Sequence, residues 1–293
     1  MVEFTSIYVL GINAYHGDSS ACLTRDGILL AAAEEERFRR IKHCAGFPSA
    51  AIGYCLETAG IPLSRLDHVA INRDSPVDLL QEVGFALKKR PDFGMVLERL
   101  KNAKQWCSIE ESFAETFPGE ALKAQVHHVE HHHAHLSSAF YVSPFEKAVV
   151  ASVDGFGDFA SAAWGVGKGS EISIDDKVYF PHSLGIFYQA LTQYIGFPHY
   201  GDEYKVMGLA PYGEPKFIDE MRQIVLLQED GSYRLNLDYF VHHKETAEVE
   251  WKNGVPSAGL LFSAKLESLL GPKRGEKEEL TQKHKDMARS IQA

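Results

Sequence analysis

A short apolar run breaks into a polar loop, resumes as a strand, turns, and continues as a third strand, and this chain does so twice. The first copy opens with residues 7–12, Ile-Tyr-Val-Leu-Gly-Ile, a run of buried-strand type. It breaks at Asn13-Ala14-Tyr15-His16-Gly17-Asp18-Ser19-Ser20, a stretch rich in turn formers. Ala21-Cys22-Leu23 restores strand character, Arg25-Asp26-Gly27 reads as a hairpin turn, and residues 28–33 make the third strand. The second copy runs from Lys147 to Asp154 and loops at Asp154-Gly155-Phe156-Gly157-Asp158. Strand character resumes over 162–166, turns at Lys168-Gly169-Ser170, and continues over 172–180. The likeness is of architecture and not of sequence. It predicts an α/β chain with two domains, residues 1–145 and 146–293, meeting near Ser143-Pro144-Phe145-Glu146.

Other elements fill in around these repeats. The charged run over 34–43 reads as a solvated strand end. A helix is expected after Pro48, with Ser49 near its start and Ile52, Cys55, Leu56 and Ala59 on its apolar face. Residues 66–72 read as a strand, and 77–118 as helix with a loop. Residues 278–293 form an amphipathic pattern, with Leu280, His284, Met287, Ala288 and Ile291 at helical spacing. Neither a C-cap nor a polar tail follows, so the polypeptide is expected to be a fragment lacking a further strand.

Between the two copies stands His127-His128-Val129-Glu130-His131-His132-His133-Ala134-His135. A helix beginning near Glu130 projects His131 and His135 from one face. Two neutral imidazoles so placed can bind a divalent metal, completed by a carboxylate or water. His132 and His133 are expected to turn elsewhere, around the ligands or to the surface. The alternative is a solvated helix start whose histidines bond loop backbone.

The two polar loops suggest a second chemistry. Hairpin loops of Gly, Ser and Asp facing one another can cradle phosphate oxygens on backbone N–H groups. Gly17 and Gly155 permit close approach, and Asp18, Asp154 and Asp158 supply oxygen ligands. Asp-Gly turns are also common without function. The aromatic group Tyr188, Tyr194, Phe197, His199, Tyr200 and Tyr204 can line an acceptor pocket or simply pack the core.

Net charge of −10 argues against nucleic acid or an anionic membrane as principal partner. Cys22, Cys44, Cys55 and Cys107 lack C-x-x-C spacing and read as reduced thiols. No apolar stretch is long enough to span a bilayer, and the N-terminus does not read as a signal peptide, so a cytoplasmic location is expected.

Five ordered blocks resemble the O-carbamoyltransferases that act on antibiotics and nodulation factors. They are the run from Gly11 to Ala21, Glu34-Glu35-Glu36-Arg37-Phe38 with Lys42, His131-His132-His133-Ala134-His135, Asp154 to Asp158, and Glu203 to Gly213. The resemblance implies a duplicated actin-like, Hsp70-like ATPase fold of ribonuclease-H-like halves, the second incomplete here. It also implies a missing C-terminal domain that makes carbamoyl-adenylate from carbamoyl phosphate and ATP. The N-terminal domain then moves the carbamoyl group to a small-molecule hydroxyl.

By the same resemblance, His131, His135 and Asp154 are metal ligands, for iron(II) first and for manganese, zinc or magnesium as alternatives. His16 stands at the transfer centre, and Ala14 where some relatives carry an acid. Lys42 matches a lysine that meets the carbamoyl-adenylate, with Arg37 the next candidate from the same run. Gly17, Gly155 and Gly157 of the two polar loops are the cofactor-contact candidates from the residues themselves, and Lys205 and Gly208 those for a nucleotide or substrate wall. The resemblance implies instead that a nucleotide-contacting glycine pair and a further metal-ligand aspartate would follow the last helix. Glu203, with Asp202 beside it, is placed to deprotonate the acceptor hydroxyl. Acids also favour helix starts without catalysis. The competing readings are a sugar-kinase-like or Hsp70-like ATPase with Mg²⁺ at carboxylates, and a catalytically incomplete binding module.

Overall fold

The computed structural model describes residues 6–73, 109–244, 249–252 and 255–293. The expected helix over 77–118 falls mostly outside them, as does Cys107. The chain is mixed α/β and divides into two compact units: residues 1–134 with 251–256, and 135–250 with 257–293.

The first unit holds the strands β1 (Tyr8–Asn13), β2 (Ser20–Arg25), β3 (Ile28–Glu34), β4 (His68–Ile71) and β5 (Gln125–His128) among others. These five form one sheet in the order β3-β2-β1-β4-β5. The pairs β1–β2 and β2–β3 are antiparallel, while β4 runs parallel to both β1 and β5. Asp26 (φ 52°) and Gly27 (φ 80°) make the tight turn between β2 and β3, both left-handed as a hairpin of matching twist requires. Leu10, Ile12, Leu23, Val69 and Ile71 alternate along their strands and share one buried face. Two helices, α1 (Glu36–Arg39) and α2 (Ser49–Ala59), follow β3, and α3 is Ile109–Thr116. Ile52 and Cys55 of α2 and Phe113 of α3 complete that core.

The charged run after β3 is therefore not a strand end. Its middle acid, Glu35, is 1% exposed and turns inward. Its carboxylate accepts from the N–H groups of Ala50 (3.3 Å) and Ala51 (2.9 Å), capping α2 where Pro48 has no side chain to offer. Cys55 is buried, and desolvation first, with Cys22 nearby, pushes its thiol up to about 11. That keeps the thiol protonated and unreactive.

The second unit holds the antiparallel sheet β6 (Lys147–Gly157), β7 (Ala160–Lys168) and β8 (Glu171–Tyr179). Helix α4 (His131–Phe140) carries the histidine cluster, and its Leu136 and Phe140 are buried with Val150 and Ala163. A Cβ on Gly167 would lie 2.7 Å from the Phe140 ring, so glycine there makes room for the helix. The larger core gathers α5 (Leu184–Tyr194), α6 (Glu203–Leu209), α7 (Ile218–Ile224), α8 (Lys265–Leu270) and α9 (Gln282–Gln292). The predicted C-terminal helix starts at a reciprocal cap between Thr281 and His284, later than residue 278. It buries Met287, Ala288 and Ile291 as the pattern required.

Candidate metal centre

Glu130 accepts the His133 N–H at 2.8 Å through Oε2 and so closes the first turn of α4. With Leu136 and Phe140 fixing the rotation of the helix, His131 and His135 stand one turn apart on a neighbouring face. Strand β6 supplies the carboxylate. The loop expected over 154–158 is instead a continuation of β6, because pairing resumes between Gly157 and Ala160 after a register shift. Only Asp158 (φ 46°) and Phe159 (φ 63°) make the turn. Asp154 thus lies in an irregular stretch of strand, where side chains are re-aimed.

The ligand atoms of His131, His135 and Asp154 all lie within 4.8 Å of one another. His135 Nε2 and Asp154 Oδ2 are 3.4 Å apart, and both side chains remain partly exposed. The other Asp154 oxygen accepts the Gly155 N–H at 2.6 Å, which leaves Oδ2 to face the imidazole.

Two residues that sequence reasoning missed hold this strand tip. Ser183, the N-cap of α5, accepts from the Ile186 N–H (3.0 Å). Its hydroxyl donates to the carbonyls of Asp154 (3.0 Å) and Gly155 (2.8 Å). Gly185 packs so closely that a Cβ would sit 2.6 Å from Gly155 N and 2.7 Å from Asp154 O. A serine followed two residues on by glycine at a helix start is visible in sequence. Its target, a strand nearly thirty positions away, is not.

The His16 ring lies edge-on to that of His131, their centroids 6.2 Å apart. Its loop is tied by Asn13, whose amide donates to the carbonyls of Gly17 (3.0 Å) and Asp18 (2.9 Å). Asp18 pairs with the His43 imidazole at 2.9 Å. Ala14 is fully buried. His132 is also fully buried, which leaves a place around the ligands and removes the surface alternative.

Arg37 and Lys42 line one hollow of about 160 Å³ with Glu36, Arg40 and Ile41. Arg37 also meets Glu34 and Glu36, each at 3.3 Å. At the N-cap of α6, Asp202 is buried and bound to Lys205 Nζ at 2.6 Å. The ammonium lies 5.5 Å from the Phe197 ring centroid. Glu203 occupies the first turn of α6, and Gly208 is exposed with open space where a Cβ would stand. Burial first, and the Glu203 charge after it, push Tyr188 up to about 12. Of the aromatic group, Tyr194 is core, its hydroxyl donating to Gly271 O, whereas Tyr204 is exposed.

Residues 8–292 match the protein family described as Carbamoyltransferase N-terminus. The chain belongs to this family. It is 37% identical over 97% of its length to the uncharacterized protein sll1178 of Synechocystis sp., of which it covers 46%. It is likewise 37% identical over 77% of its length to nodulation protein NolNO of Sinorhizobium fredii, covering 32% of that protein. The chain thus spans less than half the length of these curated relatives. A structural likeness to YeaZ from Pseudomonas aeruginosa covers 60% of this chain and 68% of YeaZ, at 14% identity and a TM-score of 0.32. No described helix of this carbamoyltransferase-family chain is long and apolar enough to cross a membrane.

The donor set fits a divalent metal. Ligands about 2.1 Å from a tetrahedral ion stand roughly 3.4 Å apart, the spacing His135 and Asp154 already have. Two imidazoles with one carboxylate suit a borderline transition metal better than the all-oxygen shells of calcium or magnesium.

Proposed function

We propose that this chain is the carbamoyl-transferring part of a longer, cytoplasmic O-carbamoyltransferase. On this reading it takes carbamoyl-adenylate, made from carbamoyl phosphate and ATP by a C-terminal domain, and carbamoylates a small-molecule hydroxyl. The observation that carries the proposal is the convergence of His131, His135 and Asp154 in a chain of this family. The fold proposed for the whole is a duplicated actin-like, Hsp70-like ATPase. Its ribonuclease-H-like halves are supported by the antiparallel-then-parallel sheet of the first unit and the three-stranded hairpin sheet of the second.

His131, His135 and Asp154 would hold a cation, iron(II) in first place with manganese, zinc or magnesium as alternatives, and when bound it would supply Lewis-acid polarisation of the carbamoyl oxygen. The acceptor oxygen attacks the carbamoyl carbon, the bond from that carbon to the phosphate oxygen breaks, and AMP leaves. Glu203 takes the hydroxyl proton, since a free alkoxide is too basic to form unaided near neutral pH. His16, beside His131, donates an N–H to the leaving phosphate or steadies the acceptor oxygen. Lys42 and Arg37 meet the phosphoryl charge from the hollow they share. Gly17, Gly155 and Gly157 let nucleotide approach the backbone, and Lys205 and Gly208 form its wall. Asp202, beside Glu203 and bound to Lys205, positions that ammonium.

The test is metal content by mass spectrometry, paired with turnover dependent on both carbamoyl phosphate and ATP in the natural full-length protein. Wild type is expected to retain about one transition-metal ion per chain, and His131→Ala and His135→Ala to lose it together with turnover. Full turnover in a metal-free His135→Ala variant would sink the proposal.

A further inference from the structure

Parallel pairing of β1 and β4 sets Ile12 beside Ile71, so the next residues, Asn13 and Asn72, stand together at the carboxyl ends of the two strands. Asn13 Nδ2 donates to the carbonyls of Gly17 (3.0 Å) and Asp18 (2.9 Å), and Asn72 Nδ2 donates to Asn13 Oδ1 (3.2 Å). The orientation of both amides follows from these partners. Carbonyls only accept, so the Asn13 nitrogen must face the loop and its oxygen must face Asn72, which must then present its own nitrogen. That choice leaves Asn72 Oδ1 buried, with no hydrogen-bond partner among the described residues. An orphaned buried acceptor is unfavourable, so the donor side of Asn72 is what the fold needs at this position.

The loop gripped in this way is strained. Tyr15 (φ 67°) and Asp18 (φ 60°) flank His16 and Gly17 in the left-handed region, which residues with a side chain avoid. Such backbone persists where surrounding bonds over-determine it. The N–H groups of Tyr15 and Ser19 are anchored to the carbonyls of Gly46 (3.0 Å) and Cys44 (2.9 Å), and the Asn13 amide grips the two carbonyls between them. The other side of β4 holds the approach to α4. Val129 N–H donates to Ile71 O (2.8 Å), and His128 Nδ1 donates to Arg73 O (3.2 Å), just before α4 begins at His131. Residues 71–73 therefore tie down both the loop that bears His16 and the chain that delivers His131.

We propose that Asn72 is a positioning residue. Through Asn13 it holds the strained 15–18 loop, and so keeps the His16 ring edge-on to that of His131, the contact seen at 6.2 Å. Its purpose rests on the carbamoyl-transfer reading, which puts His16 at the transfer centre. Asn72 acts only through the relay and touches no reacting atom. An ionised aspartate in its place has nearly the same shape but cannot donate, so it separates the hydrogen bond from the packing.

The 293-residue protein, labelled with ¹³C and ¹⁵N, is compared with Asn72→Asp by NMR. In the variant the Asn13 amide is expected to turn its nitrogen toward the new carboxylate and release the loop. The Gly17 and Asp18 carbonyl carbons should then shift away from hydrogen-bonded values, and the NOE between the His16 and His131 rings should be lost. The His68 and His127 rings, on β4 and β5 with centroids 5.0 Å apart, provide the control, and their NOE should survive. Two outcomes overturn the proposal: carbonyl resonances and ring NOE unchanged, or loss of both NOEs together, which would mean that the sheet has merely loosened. Asn72→Leu guards against a variant that does not fold. It exchanges one orphaned acceptor for another, Asn13 Oδ1, so its urea midpoint should stay close to wild type while the same ring NOE is lost. A retained NOE in Asn72→Leu overturns the proposal as well. Neither readout needs metal, carbamoyl phosphate or turnover. A relay that breaks as expected in a protein unable to transfer carbamoyl would fail only the proposed function, and transfer by a protein whose His16–His131 contact ignores Asn72 would fail only the relay.

Discussion

Gly185→Ala tests whether the start of α5 sets the position of the Asp154 carboxylate. The added Cβ would stand 2.6 Å from Gly155 N, against ordinary contact from 3.4 Å. The helix and the strand tip must therefore part by about 0.8 Å, the difference of those two values. All three atoms met belong to backbone, so no side chain can swing aside to relieve the clash. Overpacking of this kind costs about 1–3 kcal/mol of stability. Metal–ligand distances tolerate only about 0.2 Å, and loss of support around a metal ligand weakens affinity on the order of 10- to 100-fold. The expected outcome is a metal Kd raised by that factor, measured by anaerobic equilibrium dialysis against iron(II) or manganese, with a lowered urea midpoint. A variant that is destabilised yet binds metal as tightly as wild type would refute the reasoning. It would mean that Asp154 is held by its own strand and not by the helix against it.

Two further outcomes follow from burial. His132→Ala removes a fully buried ring and leaves His131 and His135 in place. Stability should fall by about 2–4 kcal/mol in denaturant titration while metal stoichiometry stays at the wild-type value, and equal metal loss would contradict the i, i+4 geometry. His242 has its pKa lowered by burial, with the Pro181 carbonyl opposing, so the unfolded chain binds its proton more readily than the folded one. Stability is then lost as pH falls below the ordinary histidine value of about 6.5. The drop in urea midpoint between pH 7.5 and pH 5 should be smaller in His242→Phe, and an identical drop would assign the effect to other groups.

Alternation and turn chemistry were legible in the chain itself. Leu10, Ile12, Leu23, Val69 and Ile71 show their common face at period two, and Asp26-Gly27 can hardly be anything but a tight turn. The spacing of His131 and His135 told of a shared helical face, because four residues bring a helix back over itself. These properties are local, fixed by backbone sterics and the burial of one side of each element. Tertiary structure decided what lies far apart in sequence. Glu35 looks like one more solvated acid until α2 arrives with unfilled N–H groups, and the 154–158 stretch looks like a loop until β7 pairs with it. Gly185 and Ser183 acquire a purpose only where α5 meets the back of Asp154. Hydrogen bonds and close contacts depend on tenths of an ångström between distant segments, and a linear pattern of residue types does not encode such distances.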